Sequence, residues 1–149
     1  MADLRILVTA DDFDLGAEAA RLEAGADTGA VVTFTGRVRD VDGGLRHMEI
    51  EHYPGMTEVA LTRIAEEAAA RWSLAAVTIV HRHGRLAPGA RIMMVGTASR
   101  HREAAFEAAS FLMDYLKSRA PFWKKEVTAE GAEWVAAKDS DEDALDRWT

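Results

Sequence analysis

The sequence contains no cysteine among its 149 residues. Disulfide bonds, thiolate metal sites, a cysteine nucleophile and a persulfide carried on this chain are therefore excluded. No apolar run reaches the roughly 18 residues of a transmembrane helix, and no signal peptide precedes the first predicted strand. We therefore expect a cytoplasmic protein that does not use a membrane.

Several common ligand-binding patterns are also missing. The glycine fingerprints of phosphate and dinucleotide loops do not occur, and no serine lies in a nucleophile-elbow pattern. The net charge of −7 argues against nucleic-acid binding, which needs an overall basic face. His81 and His83 are spaced to face one metal ion, but no third ligand groups with them. We expect no metal site and no cofactor.

The residues that are present predict one α+β domain over 1–149, because 48% hydrophobic content at this length can bury a sizeable core. Mostly antiparallel strands are predicted at 4–9, 29–38, 46–53, 77–82, 92–98, 122–127 and near Trp134. Two to three helices are predicted, with Asp14, Thr57 and Ser99 as N-caps. The order from 46 to 127 reads as a ferredoxin-like β-α-β-β-α-β unit. The acidic end, about 138–149, is predicted to be a mobile or docking tail.

The stretch 99–126 is the most informative part of the chain. It opens with Arg100, His101 and Arg102, continues as an amphipathic helix, and is stopped by Pro121. Six lysines and arginines against four acids give it a charge of +2 on an acidic chain. This pattern indicates a site for a small anion, and a solvated helix with ordinary surface lysines is the alternative.

Lysine is the best candidate for chemistry in this stretch. Lys117 lies in the last turn of the predicted helix, and Lys124 and Lys125 lie on the strand that follows. Strand alternation puts these two neighbours on opposite faces, so only one of them can share a pocket with Lys117. A lysine near other cations and apolar groups has a lowered pKa, which suits it to acid–base work.

A second cationic pattern ends the strand at 29–38. Arg37 and Arg39 are two residues apart, so they would share a strand face and could grip a phosphate or carboxylate. The alternative is a pair of edge-strand arginines that guard against aggregation.

Four motifs together resemble the large, catalytic subunit of molybdopterin synthase. They are FTGRVR at 34–39, EHYPGMTE at 51–58, SRHREAAF at 99–106 and MDYLKSRAPFWKKE at 113–126. The resemblance implies an α/β-hammerhead type of α+β fold and a sulfurtransferase that inserts sulfur into cyclic pyranopterin monophosphate, forming the molybdopterin dithiolene. It also implies that sulfur arrives as a thiocarboxylate on the C-terminal Gly-Gly of a small ubiquitin-like subunit. A chain without cysteine fits this, because a partner must carry the sulfur.

The resemblance also implies which residues act. Lys117 would be the main catalytic residue and Lys124 the second. The substrate pocket would comprise Arg37, Val38, Arg39, His101, Arg102, Lys117, Lys124, Lys125 and Glu126, with Arg39, His101 and Arg102 on the phosphate. Phe34 and Met113 would line the slot for the Gly-Gly tail. Lys138 lies where the family often has a basic residue.

The two ends of the predicted helix cannot meet within one chain. Fifteen residues of helix separate Arg102 from Lys117 by roughly 22 Å, which is too far for one phosphate-bearing pterin to span. We therefore expect a homodimer with two shared sites, which becomes a heterotetramer when each site binds one small subunit. The alternatives are a non-catalytic receptor for a ubiquitin-like protein and a small-anion-binding regulatory domain.

Overall fold

A computed structural model of the chain describes residues 1–40, 42–135 and 139–148. Within these residues eight strands and four helices form an α+β domain, and all strand pairs but one are antiparallel. The elements are β1 (Asp3–Thr9), α1 (Leu15–Leu22), β2 (Ala30–Arg37), β3 (Leu45–His52), α2 (Met56–Trp72), β4 (Ala76–Arg82), β5 (Gly84–Leu86), β6 (Arg91–Ser99), α3 (Arg102–Ser118), β7 (Phe122–Thr128), β8 (Gly131–Trp134) and α4 (Asp139–Asp146). The predicted α+β class is confirmed.

The first sheet has the strand order β1-β4-β6-β2 and is covered on both faces. On β4, Val77 and Ile79 face the main core beneath α2 and α3, whereas Val80 packs in a separate cluster on the other side. Helix α1 lies on that second side, where Leu22 approaches Gly96 of β6 so closely that a Cβ there would lie 2.3 Å from the Leu22 side chain. Burial of both faces explains why β4 and β6 read as continuous apolar runs.

The second sheet has the strand order β5-β3-β7-β8 and is antiparallel throughout. The ferredoxin-like interpretation is therefore wrong, because its four strands would form one sheet, whereas β3 and β7 lie in this sheet and β4 and β6 lie in the first. In the β3–β7 register, His52 lies opposite Phe122 and Ile50 lies opposite Lys124. This pairing positions β7, the strand that contains Lys124 and Lys125.

Two of the three predicted helix caps differ in the structure. Asp14 caps α1 as predicted, accepting a hydrogen bond from the Ala17 amide at 3.0 Å. Ser99 is still the last residue of β6, and His101 is the N-cap residue of α3. Thr57 lies inside α2, where its hydroxyl bonds back to Tyr53.

The acidic end of the chain forms α4, which packs on α3. Trp148 lies edge-on against Trp72 and Phe111, and its indole N–H donates to Asp114 at 2.6 Å. Of the two predicted alternatives for this segment, the described residues fit docking, and the surface it docks on belongs to the same chain. Lys138 lies outside the described residues. None of the described helices combines the length and the apolar character needed to cross a membrane.

Candidate active site

Lys117 and Lys124 line one cavity at the end of α3. The helix ends at Ser118, the chain turns at Pro121, and β7 then runs back along β3. Lys117 is exposed in the last helical turn, whereas Lys124 is partly buried. The structure therefore brings together the two residues that the sequence selected for chemistry.

The cavity, called the lysine cavity below, has a volume of about 90 Å³. Its lining residues are mostly apolar or cationic: Phe34, Gly36, Arg37, His81, Ile92, Met93, Met113, Leu116, Lys117 and Lys124. Phe34 and Met113, the residues predicted to line a slot for a peptide tail, are both among them. A narrow cavity of this kind can admit an anionic chain end that has no side chains.

A larger and more open space of about 540 Å³, the outer pocket, adjoins the lysine cavity. The two share Leu116, Lys117 and Lys124, and the outer pocket is further lined by Trp134 and Asp141 among others. Sequence reasoning missed both of these last residues, because neither carries a local motif: Trp134 reaches the pocket through the pairing of β8 with β7, and Asp141 through the packing of α4 on α3. Together the two spaces lead from the surface to the lysines.

The electrostatic environment makes Lys124 unusual. Burial, followed by the positive charge of Lys117, lowers the pKa of Lys124 from 10.5 to about 8, against an opposing effect of Asp141. Both causes disfavour the ammonium form. Lys124 can therefore lose or accept a proton near neutral pH, as an acid–base group must.

The neighbouring residues Lys125 and Glu126 lie outside both spaces. Lys125 forms an ion pair with Glu49 at 3.2 Å and lies over the ring of Trp134. Glu126 lines a separate cavity near the turn between β7 and β8. The prediction from strand alternation that only one of the two adjacent lysines joins Lys117 is confirmed, and within one chain neither Lys125 nor Glu126 reaches the lysine cavity.

Arg37, Val38 and Arg39 are placed differently from one another. A β-bulge between Gly36 and Arg37 ends the regular alternation, and β2 stops at Arg37, so the expected shared strand face does not form. Arg37 lines the lysine cavity and donates twice to the Gly89 carbonyl. Arg39 is exposed beyond the strand. Val38 is only 2% exposed and its backbone groups bond to Gly89 and Ala90, so it supports this segment and offers no group to a ligand.

His101 and Arg102 lie at the far end of α3. His101 lines a third cavity of about 620 Å³ with Trp72 and Arg100. Because α3 is one continuous helix from Arg102 to Ser118, the roughly 22 Å separation from Lys117 stands. One chain therefore does not assemble His101 and Arg102, the predicted phosphate ligands, with the two lysines into one site.

The two histidines considered as metal ligands have different surroundings. No group of three or more histidine, cysteine or acidic residues that could hold a metal occurs in the described part of the chain. The ring of His83 lies 4.1 Å from that of His52 at an angle of 32°, whereas His81 is buried and lines the lysine cavity. No sequence pattern indicates that His81 lines this cavity, because its position depends on the contact of β4 with β7 of the other sheet.

The fold and the site define an α+β domain in which two lysines line one cavity at the end of a helix. A family model described as MoaE protein matches residues 8–119. The molybdopterin synthase catalytic subunit of Cereibacter sphaeroides is 64% identical over 146 residues, covering 97% of this chain and 100% of the relative. The chain belongs to the MoaE family, whose curated members carry the name molybdopterin synthase catalytic subunit.

Solved structures agree with this assignment. The molybdopterin biosynthesis MoaE protein of Burkholderia ambifaria superposes with a TM-score of 0.82 at 53% identity, covering 99% of this chain and 98% of that one. A protein–protein complex of subunits 1 and 2 of molybdopterin-converting factor from Helicobacter pylori has a TM-score of 0.71 at 22% identity, covering 91% and 90%. The second likeness shows the shared fold.

Proposed function

We propose that this catalytic subunit is a sulfurtransferase that acts with a small ubiquitin-like subunit. It takes sulfur from the thiocarboxylate at that subunit's C-terminal Gly-Gly and inserts it into cyclic pyranopterin monophosphate, in two transfers that form the dithiolene. The observation that carries the proposal is the lysine cavity, in which Lys124, with a pKa near 8, and Lys117 line one narrow space. The protein named in the Helicobacter pylori complex also assembles from two kinds of subunit.

The shape and charge of the lysine cavity suit the tail of such a subunit. Phe34 and Met113 supply apolar walls, and two glycines without side chains can pass between them. The thiocarboxylate at the end of the tail is an anion, and Arg37, Lys117 and Lys124 surround the cavity with positive charge. Binding of the tail and positioning of its reactive end thus follow from the same lining.

The two lysines have complementary chemical roles in this proposal. The thiocarboxylate sulfur forms a bond to a pterin side-chain carbon while a C–O bond at that carbon breaks and its oxygen leaves with a proton or on the phosphate. Water then attacks the tail's carbonyl carbon, the C–S bond to the tail breaks, the tail leaves as a carboxylate, and the sulfur stays on the pterin as a thiol or thiolate. The Lys117 ammonium stabilises negative charge on the carbonyl oxygen as this carbon becomes tetrahedral. Lys124, whose pKa is about 8, exchanges the protons that the steps at the pterin carbon and at water require.

A second protomer completes the site by supplying the phosphate-binding end. His101 and Arg102 of one chain would join Lys117 and Lys124 of the other across a two-fold axis, with Arg39 as a further phosphate ligand. The result is two sites in a homodimer and a heterotetramer with two small subunits. The cytoplasmic location remains a prediction from the sequence.

Reconstitution tests the proposal directly. The purified chain is incubated with cyclic pyranopterin monophosphate and a small subunit carrying a C-terminal thiocarboxylate, and dithiolene product is measured by mass spectrometry. We expect two sulfur atoms to appear per product molecule and the tail to return as a carboxylate. A complex that binds the small subunit tightly but yields no product would favour the non-catalytic receptor, and binding of the phosphate compound without any need for the small subunit would favour the regulatory domain.

A further inference from the structure

The lysine cavity contains one side chain that the proposed chemistry does not use. Apart from the apolar residues, its lining holds three cations, Arg37, Lys117 and Lys124, together with His81. No carboxylate occurs among the described residues of this lining. While the three cations are charged, the imidazole of His81 is therefore the strongest side-chain hydrogen-bond acceptor that the cavity offers.

The tautomer of His81 is fixed by its backbone neighbour. Its Nδ1 lies 2.8 Å from the carbonyl oxygen of Arg82, and because a carbonyl only accepts, Nδ1 carries the proton. The neutral ring then has its lone pair on Nε2. Nε2 forms no hydrogen bond to any residue in the described ranges, so it is available to a group in the cavity.

Burial keeps this ring neutral. His81 is 3% exposed, and desolvation, opposed by its hydrogen bond to Arg82, lowers its pKa to about 3, with the charges of Lys124, His83 and His52 adding to the effect. These groups approach from β7, from the residue after β4 and from β3, and Lys117 of α3 lines the same cavity. At any pH where the protein works, Nε2 is thus an uncharged acceptor.

Packing places Lys124 beside this ring. Phe122 stacks on His81 with ring centroids 3.6 Å apart and planes 13° from parallel. Phe122 and Lys124 are two residues apart on β7, so their side chains point to the same side of the strand. Lys124 forms no side-chain hydrogen bond or ion pair within the described part of the chain, although a partly buried ammonium needs an acceptor.

We propose that His81 is a positioning residue whose Nε2 accepts a hydrogen bond from the Lys124 amino group and directs that group towards the reacting centre. In the structure neither atom has a hydrogen-bond partner among the described residues, and the proposed bond forms by rotation of the Lys124 side chain within the cavity that both residues line. Only the identity of the reacting centre rests on the proposed function. His81 does not carry a proton in this role, because its single proton stays on Nδ1 against the Arg82 carbonyl.

The first test observes the acceptor nitrogen directly in the full-length protein. Imidazole nitrogens are labelled with 15N, and the Nε2 resonance of His81 is recorded by NMR in the wild type and in Lys124→Met. We expect Nε2 to move towards the frequency of a free, unprotonated nitrogen in Lys124→Met while Nδ1 stays in place. The matched control, Lys125→Met, changes the adjacent residue on the opposite face and should leave Nε2 unchanged.

Two results of this experiment would overturn the inference. One is an Nε2 resonance that does not respond to Lys124→Met, which would mean that the ring is only a packed core residue. The other is an Nε2 resonance that shifts in Lys117→Met but not in Lys124→Met, which would show that Lys117, and not Lys124, donates the hydrogen bond. Both variants keep His81, so neither result depends on whether a histidine substitution folds.

The second test measures the reciprocal effect on Lys124. The chain has only four lysines, so labelling their ε-carbons with 13C gives four resolvable NMR titrations. Loss of an acceptor for the ammonium in His81→Leu should lower the pKa of Lys124 by about one unit. His81→Gln restores an acceptor oxygen and should recover at least half of that shift, whereas His83→Leu, which lies outside the cavity, should leave the pKa unchanged. An equal pKa in His81→Gln and His81→Leu would contradict the acceptor role.

Activity separates this inference from the proposed function. In single-turnover sulfur transfer, we expect His81→Leu to lower the maximal rate constant about tenfold with little change in the half-saturating concentration. His81→Gln should recover part of the loss. An absence of sulfur transfer in the wild type would reject the proposed function and leave both NMR tests valid. Normal transfer in the wild type with an Nε2 signal indifferent to Lys124 would reject the inference alone.

Discussion

Lys117 and Lys124 line the same cavity although a helix end and a proline separate them along the chain. One residue belongs to the last turn of α3 and the other to a central position of β7. The charge of Lys117 also lowers the pKa of Lys124, so the two lysines are linked electrostatically as well as in space. A substitution of one lysine should therefore alter the electrostatic environment of the other.

The first prediction separates the three lysines near the site by their effect on sulfur transfer. Lys117→Ala should lower the single-turnover rate by about 10³-fold, and Lys124→Ala by about 10²-fold, because each loses a charge or a proton carrier at the reacting centre. Lys125→Ala, which loses an ion pair with Glu49 outside the cavity, should cost less than about tenfold. Wild-type rates in Lys117→Ala would reject its catalytic assignment.

The second prediction concerns stability and pH. Below about pH 8, Lys124 is protonated in both the folded and the unfolded chain, and the folded chain carries the cost of a partly buried ammonium. Between about pH 8 and 10.5 the unfolded chain binds more protons, so this group makes folding stability rise with pH. Lys124→Met should thus stabilise the protein at pH 7, by about 1 kcal/mol, and by less at pH 10.

Urea unfolding at both pH values measures this effect. Lys125→Met is the control, since it removes a lysine of the same strand that already has an acidic partner. A Lys124→Met variant that is less stable than the wild type at pH 7 would show that its ammonium is well compensated in the fold.

A third prediction tests whether α4 influences the lysines. Trp148 anchors this helix against Trp72 and Phe111. Burial and the charge of Lys117 lower the pKa of Lys124, and the negative charge of Asp141, in the same helix, partly offsets that lowering. Trp148→Ala should destabilise the protein by about 1–3 kcal/mol and speed amide exchange in 139–148. It should also lower the pKa of Lys124, because a released α4 carries Asp141 away.

The matched change is Asp141→Asn, which keeps the anchor and removes only the charge. We expect it to lower the pKa of Lys124 without increasing amide exchange in α4. If Trp148→Ala accelerates exchange and leaves the Lys124 titration unaltered, the influence of α4 on the site is disproved.

The fourth prediction concerns the shared sites of the proposed homodimer. His101→Ala and Lys117→Ala should each be inactive alone, because every site of either homodimer carries one defect. In a mixed dimer one shared site receives an intact Lys117 from the first variant and an intact His101 from the second, so about half the activity per dimer should return. Verified mixed dimers that stay inactive would show that each site belongs to a single chain.

The sequence predicted those features that depend on local periodicity. The spacing of apolar residues predicts α3. Strand alternation predicts that only one of Lys124 and Lys125 can join Lys117, and the family resemblance implies that it is Lys124. Asp14 is a residue type that favours the N-cap position, and in the structure α1 begins directly after it. Such patterns follow from the geometry of a single helix or strand, because they involve only residues that are close together in the sequence.

Features that depend on contacts between distant segments were missed or misread. Ser99 is a residue type that favours the N-cap position, but it still pairs with β2 as the last residue of β6, so the helix begins only at Arg102. The ferredoxin-like order lacks the short strand β5, and it does not reveal that β3 and β7 lie in a different sheet from β4 and β6. His81 was considered only as a metal ligand, since its stacking on Phe122 joins strands of two different sheets.

The length of α3 has a consequence for how this protein can vary. In the proposed dimer, residues at both ends of the helix serve reaction sites, so the helix sets both the distance and the angle between the phosphate ligands and the lysines. Insertion of one residue in the middle of α3 would turn Lys117 by about 100° around the helix axis and shift it by about 1.5 Å. Substitutions on α3 can be absorbed by repacking, whereas insertions and deletions there would misalign both sites of the dimer at once.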